Sequence, residues 1–125
     1  MEPVNLFNLA TQQSRWLSVR QSAVAGNIAN ANTPGYSALD VEPFSKVLDN
    51  TRVSMKATQA SHISGGATAD AIAVRPNEAR SATATDNNVQ LEQELMRAGE
   101  VRRAFELNTA IVKSFHRMIM NTTRT

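Results

Sequence analysis

Apolar residues recur with a helical period at both ends of the chain and with no period in between. From about Asn5 to Ala31, Phe7, Ala10, Leu17, Val24, Ile28 and Ala31 follow a three-four spacing, with Ser14 and Gln21 at the remaining seam positions. Leu6, Leu9, Trp16 and Ala23 form a second stripe beside the first, so this apolar face is broader than one partner helix needs. From about Val89 to Met120, Leu91, Leu95, Ala98, Phe105, Val112, Phe115 and Ile119 make one stripe, widened by Val101, Ile111 and Met118. Asn88 reads as the N-cap of this second helix. Glu92 and Glu94 in its first turns and Lys113, His116 and Arg117 near its end complement the helix dipole.

Between the helices, "DVEPFSKVLD" predicts a short helical turn with Val41, Phe44, Val47 and Leu48 inward. From Thr51 to Asn87 the chain is rich in Ala, Ser and Thr, contains "SGG" and Pro76, and keeps neither period. A structureless span of that length does not belong inside a compact domain. The expected fold is therefore mainly α. Two long terminal helices pack as an antiparallel, coiled-coil-like pair, joined by an extended, largely irregular middle that tolerates change. The chain divides into a helix and Asn-rich turn at 1–36, the irregular segment at 37–88 and a C-terminal helix at 89–125, together one domain.

Composition narrows the function classes. The chain has 125 residues, apolar residues supply 42% of it but aromatic ones only 5%, so a large self-sufficient core is not expected. The 13 basic and 11 acidic residues leave a net charge of +2, a small surplus rather than a nucleic-acid footprint. There is no cysteine, which excludes disulfides and thiol chemistry. The N-terminal "MEPVNLFNLATQQSRWLSVRQ" has no basic start and no unbroken apolar run, so it does not read as a cleaved secretory signal. No apolar run is long enough for a membrane span. His62 and His116 stand apart from any nucleophile or second ligand, and "SHISGGATAD" lacks the Lys-Ser/Thr ending of a phosphate loop. No catalytic residue, cofactor site or metal site is expected, and the chain does not read as an enzyme.

The special residues concentrate in "NIANANTPGY", Asn27 to Tyr36. Thr33 is held extended by Pro34, and Pro34 with Gly35 supplies the centre of a type II turn. The helix must stop before Thr33. Asn30 and Asn32 tolerate the left-handed conformation and can satisfy the last helical carbonyls, and Tyr36 carries a hydroxyl able to reach a backbone partner. Local chemistry accounts for a helix stop. It does not account for Asn27, a poor helix-interior residue one turn earlier, and three amides around one turn suit the binding of another chain's backbone.

"SVRQSAVAGNIANANTPGYSALDVEPF" resembles the N-terminal signature of bacterial flagellar rod, hook and hook-associated proteins, in which a helix ends in Asn-Ile-Ala-Asn-Ala-x-Thr-Pro-Gly-Tyr. The match is residue for residue from Asn27 to Tyr36. The chain has no room for the β-rich domains of the larger members, so its resemblance is to the small proximal-rod proteins. "YSALDVEPFSKVL" and "DNNVQLEQELMRAGEVRRAFELNTAIVKSFHRMI" are similar to those proteins too, with Phe105 where Tyr is common. The middle resembles nothing specific.

The resemblance implies a structural subunit of the proximal rod of the flagellar basal body. Such a subunit assembles helically through both terminal helices into the base of the drive shaft and its export channel. It implies residence in the rod, in the periplasmic space, after export by the flagellar type III apparatus without a cleaved signal peptide. The implied partners are other copies of the chain, other rod proteins, the adaptor protein FliE, the MS ring and the export apparatus, and no nucleic acid. The residues expected at subunit interfaces are Asn27, Ile28, Asn30, Asn32, Thr33, Pro34, Gly35 and Tyr36, then Trp16, Leu17 and Val24, and on the second helix Phe105, Val112, Phe115 and Ile119.

Two other readings compete. One is another small proximal-rod subunit of the same family. The other is an amphipathic membrane-surface binder using Arg15, Arg20, Lys113, Arg117 and Arg124, against which the acids of the second helix argue by offsetting its bases. Gly99 marks either simple tolerance or the close approach of another helix, and Trp16 either packing or an intersubunit anchor.

Overall fold

A computed structural model of the chain describes residues 6–50, 72–77 and 86–124. In chain order its elements are α1 (Leu6–Ala29), β1 (Leu39–Val41), α2 (Phe44–Asn50), β2 (Val74–Pro76) and α3 (Leu91–Thr122). Contacts along the two long helices run in opposite order. Phe7 stacks edge-on against Phe115 with centroids 5.5 Å apart, Asn108 bonds to Ala10 and Ser14, Arg20 meets Glu100, and Asn27 meets Glu94. α1 and α3 are thus an antiparallel pair, as the terminal periodicity predicts. Asn5, the expected start of the first helix, lies outside the described residues.

The seam between them is only partly apolar. α1 buries Ala10, Leu17, Ala23, Val24 and Asn27, whereas α3 buries Glu94, Val101 and Asn108, each seven residues from the next. Leu17, Val24 and Val101 are its hydrophobic centre, each worth roughly 1.5–3 kcal/mol for leaving water. Phe105, Val112 and Phe115 are half-buried beside it, but Leu91, Leu95 and Ile119, expected on the same stripe, are 44%, 57% and 37% exposed. The helix is rotated from the purely apolar prediction because Glu94 and Asn108 have dedicated partners on α1. A hydrophobic period ranks residues by polarity and cannot register a polar residue whose bonds are already supplied.

α3 also begins differently from the sequence expectation. Gln90 occupies the N-cap position without a side-chain cap bond, and Asn88 is engaged elsewhere. Gly99 shows no close approach within the chain: an added Cβ would meet only the Arg103 guanidinium, at an ordinary 3.9 Å.

The middle is less irregular than predicted. β1 and β2 pair antiparallel, Leu39 opposite Pro76, Asp40 opposite Arg75 and Val41 opposite Val74. The Glu42 N–H donates to the Ala73 carbonyl and the Asn77 N–H to the Ala38 carbonyl, extending the ladder at both ends. Three-residue strands show too few alternations for a period of two to be visible, and here the partners are more than thirty residues apart. Val41 is buried in β1 rather than in the helical turn, while Phe44, Val47 and Leu48 of α2 are half-buried as expected. Residues 51–71 and 78–85, including His62 and "SGG", lie outside the described residues.

Candidate functional site

The chemistry of the chain is concentrated where α1 ends. Asn27 is fully buried, and its carboxamide lies beside the backbone of Leu39 as a neighbouring strand would. The Nδ2 group donates to the Leu39 carbonyl at 2.8 Å and to the Glu94 Oε2 at 3.1 Å. The Oδ1 atom accepts from the Leu39 N–H at 2.8 Å and from the Tyr36 hydroxyl at 3.3 Å. Both donors and both acceptor positions of the amide are thereby used. This explains an asparagine at a position where helix propensity disfavours one. The backbone it binds is this chain's own, and the Tyr36 hydroxyl reaches a side chain rather than the backbone expected for it.

Asn30 closes the helix with its side chain. Its Nδ2 donates to the Gly26 carbonyl at 2.8 Å, and its Oδ1 accepts from the Thr33 hydroxyl at 3.1 Å. Neither Asn30 nor Asn32 adopts the left-handed conformation expected of them; among the described residues positive φ occurs at Gly35 (72°) and Asp86 (59°). The helix end needs no left-handed residue: the Gly26 carbonyl accepts from both the N–H and the side chain of Asn30, and the Ala31 and Thr33 N–H groups bond back to Ile28 and Asn30. The Tyr36 N–H then bonds back to the Thr33 carbonyl at 3.3 Å, closing the predicted turn over Pro34 and Gly35.

Gly35 gives a graded prediction. No atom lies within 4 Å of an added Cβ, so substitution there is limited by backbone conformation alone. Gly35→Asn is expected to be nearly neutral, Gly35→Ala to cost about 1 kcal/mol, and Gly35→Val more, since β-branched residues resist positive φ. Melting of the purified variants, with swimming assays beside it, should follow that order. Equal effects from Asn and Val would contradict it.

Below the turn a polar network joins three elements and the end of β2. Glu94, with no exposed surface, meets Arg97 at 3.6 Å as well as Asn27, and Arg97 reaches Asp40 at 3.6 Å. Asp40 Oδ2 accepts from Asn77 at 3.1 Å, and its Oδ1 accepts from the Val41 N–H. α1, β1, α3 and the residue that follows β2 are thereby tied through side chains.

Trp16 packs inside the subunit. Its indole N–H donates to the Glu42 carbonyl at 2.7 Å, its ring lies 5.7 Å from Phe44, and the Arg20 guanidinium covers it at 5.2 Å. Arg20 also pairs with Glu100 at 3.4 Å, so it is not a free cation for an anionic surface. Of the other expected interface residues, Leu17 and Val24 are buried in the helix seam and Ile28 is half-buried. Asn32, Thr33, Pro34 and Gly35 are exposed and form the outward tip of the site.

Sequence reasoning missed Asn87 and Asn88. Placed in or next to a tolerant middle, both are buried, and both bond to residues 30–38. Two adjacent asparagines before a long helix were the available signal, but one local role, the N-cap, absorbed it. Asn108 was missed for the same reason as Glu94. Among the described residues no group of three or more His, Cys, Asp or Glu could hold a metal ion, and no helix is long and apolar enough to cross a membrane.

The family model of flagella basal body rod proteins matches residues 16–36, from Trp16 to the end of the turn. Along nearly its whole length the chain is similar to the flagellar basal body rod protein FlgB of Agrobacterium fabrum. The two are 43% identical over 129 residues, which is 99% of this chain and 96% of that relative. The aligned length includes both helices, the turn and the polar network, so the likeness is not confined to the ten-residue signature. The chain belongs to the FlgB family of flagellar basal body rod proteins, structural subunits rather than enzymes.

Proposed function

We propose that the chain is a subunit of the proximal rod that assembles helically with copies of itself and with other rod proteins, its terminal helices facing the export channel. The observation carrying this reading is an apolar stripe left over once the helix pair is complete. Met96, Leu107, Ile111 and Met118 recur at helical spacing along α3, outside the seam, and Met96 and Leu107 are 64% and 62% exposed. Exposed apolar residues aligned along one helix mark an interaction surface. The exposed tip Asn32–Gly35 adds a polar contact at the end of α1, and the buried amides beneath it hold that tip in place.

On this reading FliE and the MS ring are the neighbours at the base of the rod, and the flagellar type III apparatus delivers the chain to the periplasmic space without a cleaved signal. Part-polar seams suit that route, because a thin helix pair without neighbours is marginal and easily unfolded.

The test is complementation of a bacterium lacking its own copy of the gene. Leu107→Asp with Ile111→Asp changes the exposed stripe and leaves the α1–α3 seam intact. Normal subunit levels with few completed basal bodies are the expected result. Full swimming by this double variant would refute assembly through α3.

A further inference from the structure

We propose that Asn87 is the positioning residue of the Thr33–Tyr36 turn, fixing from the far end of the chain the tip that the subunit presents at the end of α1. Asn87 is 3% exposed and lies more than fifty residues downstream of the turn. Its Nδ2 group faces three carbonyl oxygens, those of Asn30 at 2.9 Å, Ala31 at 3.1 Å and Thr33 at 2.8 Å. These carbonyls line the loop that follows α1. Two of them, those of Asn30 and Thr33, also accept backbone N–H bonds from Thr33 and Tyr36, and the two hydrogens of one carboxamide, one of them shared, gather all three from the other side. Its Oδ1 accepts from the Val89 N–H at 2.8 Å, which fixes the orientation of the amide.

Asn88 holds the other side of the same turn. Its N–H donates to the Tyr36 carbonyl at 3.4 Å, its Oδ1 accepts from the Ala38 N–H at 2.6 Å, and its Nδ2 donates to the Asn77 carbonyl at 2.9 Å. Asp86, at φ 59°, precedes the pair, and the two consecutive amides address opposite sides of the loop. The Pro-Gly turn sets the local bend; the Asn87–Asn88 pair sets where that bend sits relative to α1 and α3.

Asn87 also makes a local bond typical of an asparagine turn, Oδ1 to the N–H two residues on, and an aspartate makes that bond equally well. An aspartate cannot donate to three carbonyls and places an acidic group against them. Asn87→Asp therefore separates the two roles, with Asn87→Ala removing both. The inference rests on the rod reading only for its cellular readout, and wild-type complementation of the deletion strain controls for that: a deletion that still swims refutes the rod reading, not the role of Asn87.

In a strain that needs the gene, Asn87→Asp should lower completed basal bodies at least tenfold, as severely as Asn87→Ala, with the subunit still present in the cell. Hydrogen exchange of the purified full chain should show protection lost over residues 30–38 and kept along the centre of α3. Swimming at the wild-type level by Asn87→Asp, or protection lost equally along α3, would overturn the positioning role.

Discussion

Asn27→Asp is expected to abolish rod completion and swimming in a strain without its own copy of the gene. The substitution keeps the size and shape of the side chain and its two acceptor positions. It removes the donations to the Leu39 carbonyl and to Glu94, and it brings a second acidic group to a position 3.1 Å from the Glu94 carboxyl, with no surface open to water. Breaking a buried charged or hydrogen-bonded pair from one side costs about 3–5 kcal/mol, comparable to the whole stability of a small helix pair. Asn27→Ala is milder but has the same sign. It raises intrinsic helix propensity by up to about 0.7 kcal/mol yet leaves buried partners unpaired at roughly 1–3 kcal/mol each. A purely local helix-stop account predicts an improved helix for the alanine variant. Swimming halos and basal-body counts decide between them, and wild-type motility in the aspartate variant would show that the buried amide is dispensable.

The same residue shows what could be read from sequence. The three amides of "NIANANTPGY", the Pro-Gly turn and the helix stop were visible because each depends on local backbone rules, and Gly35 has the positive φ those rules require. Where each amide finds its partner depends on the tertiary fold. Asn27 pairs with Leu39, Asn87 with the carbonyls of residues 30–33, and Asn108 with α1, across separations that leave no periodic trace. The helix pair was legible from its spacing, yet the rotation of α3 was not, because two of its buried positions are polar. Strand β2 was illegible for want of length. What sequence patterns convey about this chain is its local chemistry; what they omit is the set of long-range polar contacts that fix the register.

That register leads to the other large effect. The buried positions of α3 fall at 94, 101 and 108, and those of α1 include 10, 17 and 24, so both seams repeat every seven residues. Apolar contact alone would tolerate a slip of one repeat, setting Val101 beside the next aliphatic residue of α1. Asn108 opposes that slip, because its Nδ2 donates to the Ala10 carbonyl at 3.0 Å and to the Ser14 hydroxyl at 2.8 Å, and a slip breaks both bonds. A single buried asparagine in a helix seam specifies register at a cost in stability. Asn108→Leu keeps the branching of the side chain and exchanges two neutral hydrogen bonds for apolar burial. Ser14 then turns its hydroxyl to the Ala10 carbonyl, so neither old partner is stranded. The isolated chain should gain about 1–2 kcal/mol, read as higher helicity by circular dichroism at a given temperature. Assembly should move the opposite way, with fewer completed rods at equal subunit level: the Asn27–Glu94 contact is then left to hold the register from one end of the seam, and the far half of α3, with its exposed stripe, is free to shift. Rods at the wild-type number, built from a more helical subunit, would mean that Glu94 and Asn27 hold the register without Asn108.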